Sequence, residues 1–367
     1  MKRILISIIL AVTFVVALSA QNVVFNADGP YIIYESDSTA RIIAVDADGN
    51  ISDTKQKAPE AGDTFMVTDH SGRWTFDVTL HPSERPEWKR EASGRIFVMS
   101  DPHGKMDCMV TLLQNWGVID RNLDWSFGRD QLFVIGDVFD RGEDATQIFW
   151  LLYELEAQAE KAGGHVAFVY GNHEPMVLSG DYRYSKPKYT ALADSLGTTY
   201  RELMGPDTEL GRWLATRNTM ELVGDNLFVH AGLSRDLLDK DLDIPEINEG
   251  VSRALFMTKD ERKADSDLTY FLVRTYGPIW YRGMVQHKKK NKPADKATVL
   301  EALGRYGASH LYVGHTIFRN VKTFYGGLVT DVNVDNTANQ KAGRSRAVLI
   351  DGDSRYVVND TEIVRRF

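Results

Sequence analysis

The chain has 367 residues, of which 43% are hydrophobic and 26% charged, and its formal net charge is −8. A chain of this length can bury one large core or two smaller ones, and the composition is ordinary for a soluble globular protein. The acidic balance argues against nucleic acid as a bulk partner.

The first residues stand apart. Met1-Lys2-Arg3 is basic, residues 4–18 are an almost unbroken apolar run, and Leu18-Ser19-Ala20 places small residues before Gln21. This reads as a secretory signal peptide over residues 1–20, because the run is short for a bilayer span. Its removal would take away two basic and no acidic residues, moving the formal charge from −8 to −10. The expected mature protein is exported, periplasmic or secreted, with no membrane insertion. The single cysteine, Cys108, allows no internal disulfide. Among Met109, Val110, Leu112 and Leu113 it reads as a small buried side chain on a helix rather than a nucleophile.

Residues 21–93 read as a small β-rich unit. Tyr31-Ile32-Ile33-Tyr34, residues 40–45 and residues 65–68 are strand-like, with turn signals at residues 46–50 and 69–72. Residues 74–80 alternate as one half-buried strand, and residues 81–92 form a polar, proline-containing connector. From residue 94 to 367 the rhythm becomes strand, polar loop, helix. Residues 95–100 end at Asp101, 131–135 at Gly136-Asp137, and 165–170 at Gly171-Asn172. Ile148, Leu151, Leu152 and Leu155 recur at helical spacing and are closed by Gly163-Gly164. Residues 176–220 form a cap-like insertion carrying Tyr182, Tyr184, Tyr189, Tyr200 and Trp213, with helical stretches over 191–204 and 210–217. Short apolar runs then precede His230 and Gly314, the lysines of 288–292 read as a solvated loop, and residues 329–333 and 346–350 read as closing strands. Apolar strands that each end in a polar loop are the α/β pattern, with ligands expected beyond their carboxyl ends.

Five motifs follow those strand ends. They are Asp101-Pro102-His103-Gly104, Gly136-Asp137-Val138-Phe139-Asp140-Arg141-Gly142, Gly171-Asn172-His173-Glu174, Val229-His230-Ala231-Gly232 and Gly314-His315-Thr316. Oxygen and imidazole donors without thiolate suit a pair of divalent ions such as manganese, iron or zinc. Asp101 and His103 can turn onto one ion, and Asp137 can bridge two through its two oxygens. Asn172 offers a carbonyl oxygen to the second ion while its NH₂ can face a phosphate, and His230 and His315 complete that shell. His173 sits beside the site without needing to be a ligand. An imidazolium there can protonate a leaving oxygen, with Asp140 on its other ring nitrogen. Arg141 offers a planar fork to phosphate oxygens, and Arg282 is a candidate second clamp. Any one of these residues alone is more simply a satisfied turn or core group; five motifs in register point to a binuclear phosphatase centre.

The ordered motifs, spanning about residues 95–331, resemble the calcineurin-like metallophosphoesterases and, more narrowly, the phosphoprotein phosphatase superfamily. The resemblance implies two mixed β-sheets, sandwiched and flanked by helices, with the small antiparallel unit added at the N-terminus. It assigns Asp101, His103 and Asp137 to a first metal, and Asp137, Asn172, His230 and His315 to a second. It makes His173 the general acid, paired with Asp140, and puts Arg141 on the phosphate. Ile317 stands where many of these enzymes carry a second His after Gly314-His315, so three protein ligands serve the first metal. Val169-Tyr170 stands where eukaryotic Ser/Thr phosphatases have Leu-Arg, and their Ser-Ala-Pro-Asn-Tyr block is missing. The sequence is most similar to the Shewanella-like, bacterial-type phosphatases, several of which prefer phosphotyrosine.

The expected function is phosphomonoester hydrolysis on a phosphoprotein (phosphotyrosine, phosphoserine or phosphothreonine) or a small phosphate ester, by in-line attack of a hydroxide bridging the two metals. One alternative is a dinucleoside tetraphosphate hydrolase, a family that tends to carry Asp where this chain has Glu174. An alternative of another kind is a binding protein with a vestigial metal centre, against which the intact His173 and six ligand positions speak.

Overall fold

The computed structural model describes residues 23–367, and the leader expected over residues 1–20 lies outside them. The N-terminal unit is two sheets rather than one. Strands β1 (Asp28–Ser36), β2 (Thr39–Val45) and β3 (Ile51–Lys57) pair antiparallel in that order, and β4 (Thr64–Thr68) and β5 (Thr75–Thr79) form a separate hairpin. β3 has no apolar alternation, and residues 52–57 are all exposed. Backbone pairing with β2, in register from Thr39↔Lys57 to Val45↔Ile51, makes it a strand. A charged edge of this kind resists further pairing. Within the polar connector, Lys89–Arg90 forms a two-residue strand, β6, which joins the main body.

The main body contains β7 (Arg95–Ser100), α1 (Met106–Asn115), β8 (Gln131–Ile135), α2 (Ala145–Ala162) and β9 (His165–Val169). Next come α3 (His173–Val177), α4 (Pro187–Ser195), α5 (Tyr200–Leu203) and α6 (Glu209–Ala215), the last three within the segment 176–220 expected as a cap-like insertion. Beyond it lie β10 (Met220–Val223), β11 (Asn226–Val229), β12 (His310–Val313), β13 (Lys322–Phe324), β14 (Val329–Asp331), β15 (Ala347–Asp351), β16 (Ser354–Val358) and β17 (Ile363–Arg366). They assemble into two mixed sheets of six strands, ordered β17-β16-β15-β7-β8-β9 and β13-β14-β12-β11-β10-β6. β7, β8 and β9 run parallel, as do β11, β12 and β14, while β15 and β10 pair antiparallel to their neighbours β7 and β11.

Why the central strands carry apolar residues on both faces follows from this layering. Ile96, Val98, Phe133, Ile135, Ala167 and Val169 point into the space between the sheets and meet Val223, Phe228 and Tyr312 from the other side. Phe133 stacks on Phe228 with ring centroids 3.9 Å apart, and Phe228 on Tyr312 at 5.2 Å. The alternate residues Phe97, Met99, Leu132, Val134, Val166 and Phe168 belong to the outer core with the buried faces of α1 and α2. α2 ends where Gly163 takes a left-handed conformation. In the cap, the single helix expected over 191–204 is two. The chain turns at Gly197 (φ 67°), and Thr199 restarts the helix by accepting from Glu202 N–H while Glu202 reaches back to the Thr199 N–H.

The N-terminal unit grips α2 and α6. Trp150 Nε1 donates to Pro30 O at 3.0 Å, Gln147 Nε2 to Thr68 O at 3.2 Å, and the Tyr34 hydroxyl to Glu209 Oε2 at 2.6 Å. His70 lies against Asp144, just before α2, with its N–H donating to Oδ1 at 2.8 Å and its Nδ1 2.8 Å from Oδ2. That hydrogen bond, with the nearby Asp144, Glu143 and Asp69 charges, raises the imidazole above its ordinary value. Stability from such a raised histidine is complete below its unfolded value of about 6.5 and disappears as pH rises through the folded one. His70→Ala should therefore lower the melting temperature more at pH 5.5 than at pH 9. Equal losses at both values would show that the ring's charge contributes nothing.

Candidate active site

Three motif loops leave the carboxyl ends of β7, β8 and β9, and two leave β11 and β12, so both sheets contribute to one rim of the sandwich. The chain turns sharply there. Of the ten described non-glycine residues with positive φ, six are motif residues: Asp101, His103, Asp137, Asp140, Arg141 and His315. Each left-handed residue costs about 1–2 kcal/mol, so six cost on the order of 10 kcal/mol, comparable with a domain's whole stability. Such a concentration of strain marks a site whose side-chain positions matter more than local comfort. Space is equally tight, since a Cβ on Gly171 would run into Asp137, and Gly104 and Gly142 lie backbone against backbone.

The six expected ligand residues converge. Asp137 is central, with its Oδ2 3.2 Å from His230 Nε2 and 3.8 Å from His103 Nε2. Asp101 Oδ2 is 3.9 Å from His103 Nε2, and Asn172 Oδ1 is 3.3 Å from His230 Nε2. Carbonyl oxygens occupy the opposite ring nitrogens: His103 Nδ1 meets Phe139 O at 2.8 Å, and His230 Nδ1 meets Ile135 O at 2.9 Å. Both Nε2 atoms are thereby aimed inward. The His315 and His230 rings sit edge to face at 5.0 Å.

His173 joins this cluster from α3. Its Nε2 lies 3.8 Å from Asp137 Oδ2, and its Nδ1 lies 2.5 Å from Asp140 Oδ2. The other Asp140 oxygen accepts from Ser185 Oγ at 2.5 Å. Burial works against a charged His173, but Asp137 and Asp140 outweigh it and raise its value. Arg141 is exposed at the rim, and Arg282 is half-buried. Arg282 Nη1 donates to His315 O at 2.9 Å and Thr316 Oγ1 at 3.0 Å, which leaves Nε and Nη2 for another partner. The Asn172 amide nitrogen rests on Met176 Sδ at 3.6 Å, a weak acceptor that a phosphate oxygen can replace.

The donor set fits two divalent ions. His315 Nε2 is buried without a partner among the described residues. Burial pushes His103 down to about 3 and His315 well below its ordinary value, which keeps both imidazoles neutral, the form that ligates. Burial and then Asp137 push Asp101 up to about 6, although His230 opposes this. Burial would raise Asp137 too, but His230 and His173 hold it well below the usual carboxylate range. Burial would lower His230 as well, but Asp137 raises it to about 9, so a cation binding there takes the place of its proton. Buried carboxylates beside the neutral imidazoles of His103 and His315 call for cations. Two donor groups meet there, His103-Asp137-His173 and Asp137-His230-His315. A third grouping, Asp69-His70-Asp144, is the fastening already described.

Several partners carried little or no sequence signal. Glu174, read only as a family discriminator, accepts from the N–H groups of Gly171 (2.7 Å), Asp137 (3.1 Å) and Val138 (2.9 Å), tying two motif loops together. Asn333 Nδ2 donates to Asp101 Oδ2 at 2.7 Å, and the Ser100 hydroxyl donates to Asp101 Oδ1. Ser185 and Asn333 stand in no motif, so only tertiary contact identifies them. Glu174→Gln puts an NH₂ among backbone donors, and should cost about 2–3 kcal/mol in urea unfolding together with a loss of bound metal. Unchanged stability and metal content would remove Glu174 from the framework.

A family model described as calcineurin-like phosphoesterase matches residues 94–318. Shewanella-like protein phosphatase 1 of Plasmodium berghei is 28% identical over 226 residues, 61% of each chain, so this chain spans about three-fifths of that relative. Shewanella-like protein phosphatase 2 of Arabidopsis thaliana is 25% identical over 325 residues, covering 77% of this chain and 78% of its own. Among solved structures, the cold-active protein-tyrosine phosphatase of a psychrophilic Shewanella species superimposes with a TM-score of 0.80 at 29% identity, covering 93% of this chain and 100% of that one. With the motif matched from its first strand to its last loop and the donors gathered at one rim, the chain belongs to the calcineurin-like phosphoesterase family.

Proposed function

We propose that this chain is a metal-dependent phosphomonoesterase acting on phosphorylated protein, phosphotyrosine foremost, and that it works outside the cytoplasm. The observation that carries the chemistry is the chain Ser185–Asp140–His173 ending beside the donor cluster. Relatives named as protein phosphatases, and a solved neighbour named as a protein-tyrosine phosphatase, support the substrate class. The apolar leader over residues 4–18 supports export, and an all-oxygen-and-imidazole donor set suits manganese as well as iron or zinc.

When bound, two divalent ions supply Lewis-acid charge to the phosphoryl group and the attacking water. The residues do the rest. Arg141 at the rim and Arg282, held on the His315 loop, grip phosphate oxygens, with the Asn172 amide as a third donor, so that the ester bond points toward His173. Asp140 takes the Nδ1 proton in a hydrogen bond, which leaves the Nε2 proton of the imidazolium free for the leaving oxygen. Ser185 holds the second Asp140 oxygen and stops the carboxylate from swinging away.

His173→Asn should keep the fold and metal content but lower kcat on an alkyl phosphate by about 100-fold or more. A nitrophenyl ester, whose leaving group scarcely needs the proton, should lose about tenfold or less. Equal losses on both would count against His173 as the acid. Removal of metal with a chelator should abolish turnover and addition of manganese restore it; full activity after chelation would refute the metal-dependent reading.

A further inference from the structure

Tyr184 lies in the cap between α3 and α4. It is 49% exposed, and no other tyrosine, phenylalanine or tryptophan stands among the exposed large hydrophobic side chains of the described residues. Its ring centroid is 5.5 Å from that of His173, and the Arg141 guanidinium carbon lies 5.8 Å from its centre. The ring is anchored through its own backbone, because Tyr184 O accepts from the Arg141 N–H at 2.9 Å. The next residue, Ser185, is bonded to Asp140. An exposed aromatic face is thus fixed beside both the acid and the phosphate clamp, and the mechanism above gives it no task.

We infer that Tyr184 is a specificity-determining residue, the aromatic wall of the leaving-group side, which favours phosphate esters of phenols over those of aliphatic alcohols. This rests on the phosphatase reading and adds the group that selects within it. In the reaction the bond from phosphorus to the ester oxygen breaks and a water oxygen bonds to phosphorus, one water proton leaving with the phosphate and the other restoring His173. The ester oxygen keeps the electron pair and takes the Nε2 proton of His173. Whatever is attached to that oxygen must therefore lie within reach of His173, and so beside Tyr184. A phenol ring placed there gains an offset or edge contact worth a few-fold to about tenfold in binding, whereas the one-carbon arm of a serine ester presents no ring.

The test uses the full-length, manganese-loaded protein and one peptide sequence carrying either phosphotyrosine or phosphoserine. Wild type, Tyr184→Ala and Tyr184→Phe are compared by kcat and KM on each. Tyr184→Ala should lower the phosphotyrosine-to-phosphoserine ratio of kcat/KM by about 3- to 10-fold, mainly through KM for the tyrosyl ester. Tyr184→Phe should keep the wild-type ratio, since the ring and the backbone contact to Arg141 both remain. Equal losses on the two peptides with Tyr184→Ala, or a Phe variant that behaves like Ala, would overturn the assignment while leaving the phosphatase reading intact. A folded, metal-loaded wild type that hydrolyses neither peptide would overturn the phosphatase reading and this inference with it.

Discussion

One buried carboxylate sets the frame on which the site is hung. Glu174 receives backbone N–H groups from two successive strand-end loops, and Asp137 returns the favour by accepting the His173 N–H at 2.9 Å through Oδ1. Burial and Asp137 push Glu174 up to about 7, while His230 and those N–H groups hold it down. The reciprocal pair fixes Asp137, Asn172 and His173 relative to one another although 35 residues separate the first from the second. The same bonds hold Asp137, one of the six strained rim residues, in its left-handed conformation.

The strand-loop-helix rhythm was legible because each core strand is apolar on both faces and stops at a charged or polar motif. The motif ligands were legible for the same reason, as chemistry at strand ends. The partners of those ligands were not. Ser185 is one hydroxyl in a polar stretch and Asn333 lies in the loop just past β14, and each acquires meaning only through a contact across more than forty residues. Sheet membership was equally hidden. β15 pairs beside β7 across some 250 positions, a choice that no local pattern encodes. β3, polar after Ile51, exists because β2 offers it a ladder, and burial-based periodicity has nothing to detect there.

The N-terminal unit bears on the site through α2 rather than through chemistry of its own. His70, Gln147, Trp150 and Tyr31 stitch it to the first turns of that helix, and Asp144 N donates to Gly104 O at 3.0 Å just ahead of them. The segment carrying Asp140 and Arg141 is thus held between the first motif on one side and the added strands on the other.

The Phe133–Phe228–Tyr312 stack lies between sheets that each own part of the metal cage. Asp101, Asp137 and Asn172 travel with one sheet, His230 and His315 with the other. A slip of the two layers by even an ångström would therefore separate the donors without unfolding anything. A methyl group lost from this interior, far from the rim, would first be felt as a loosened grip on cations.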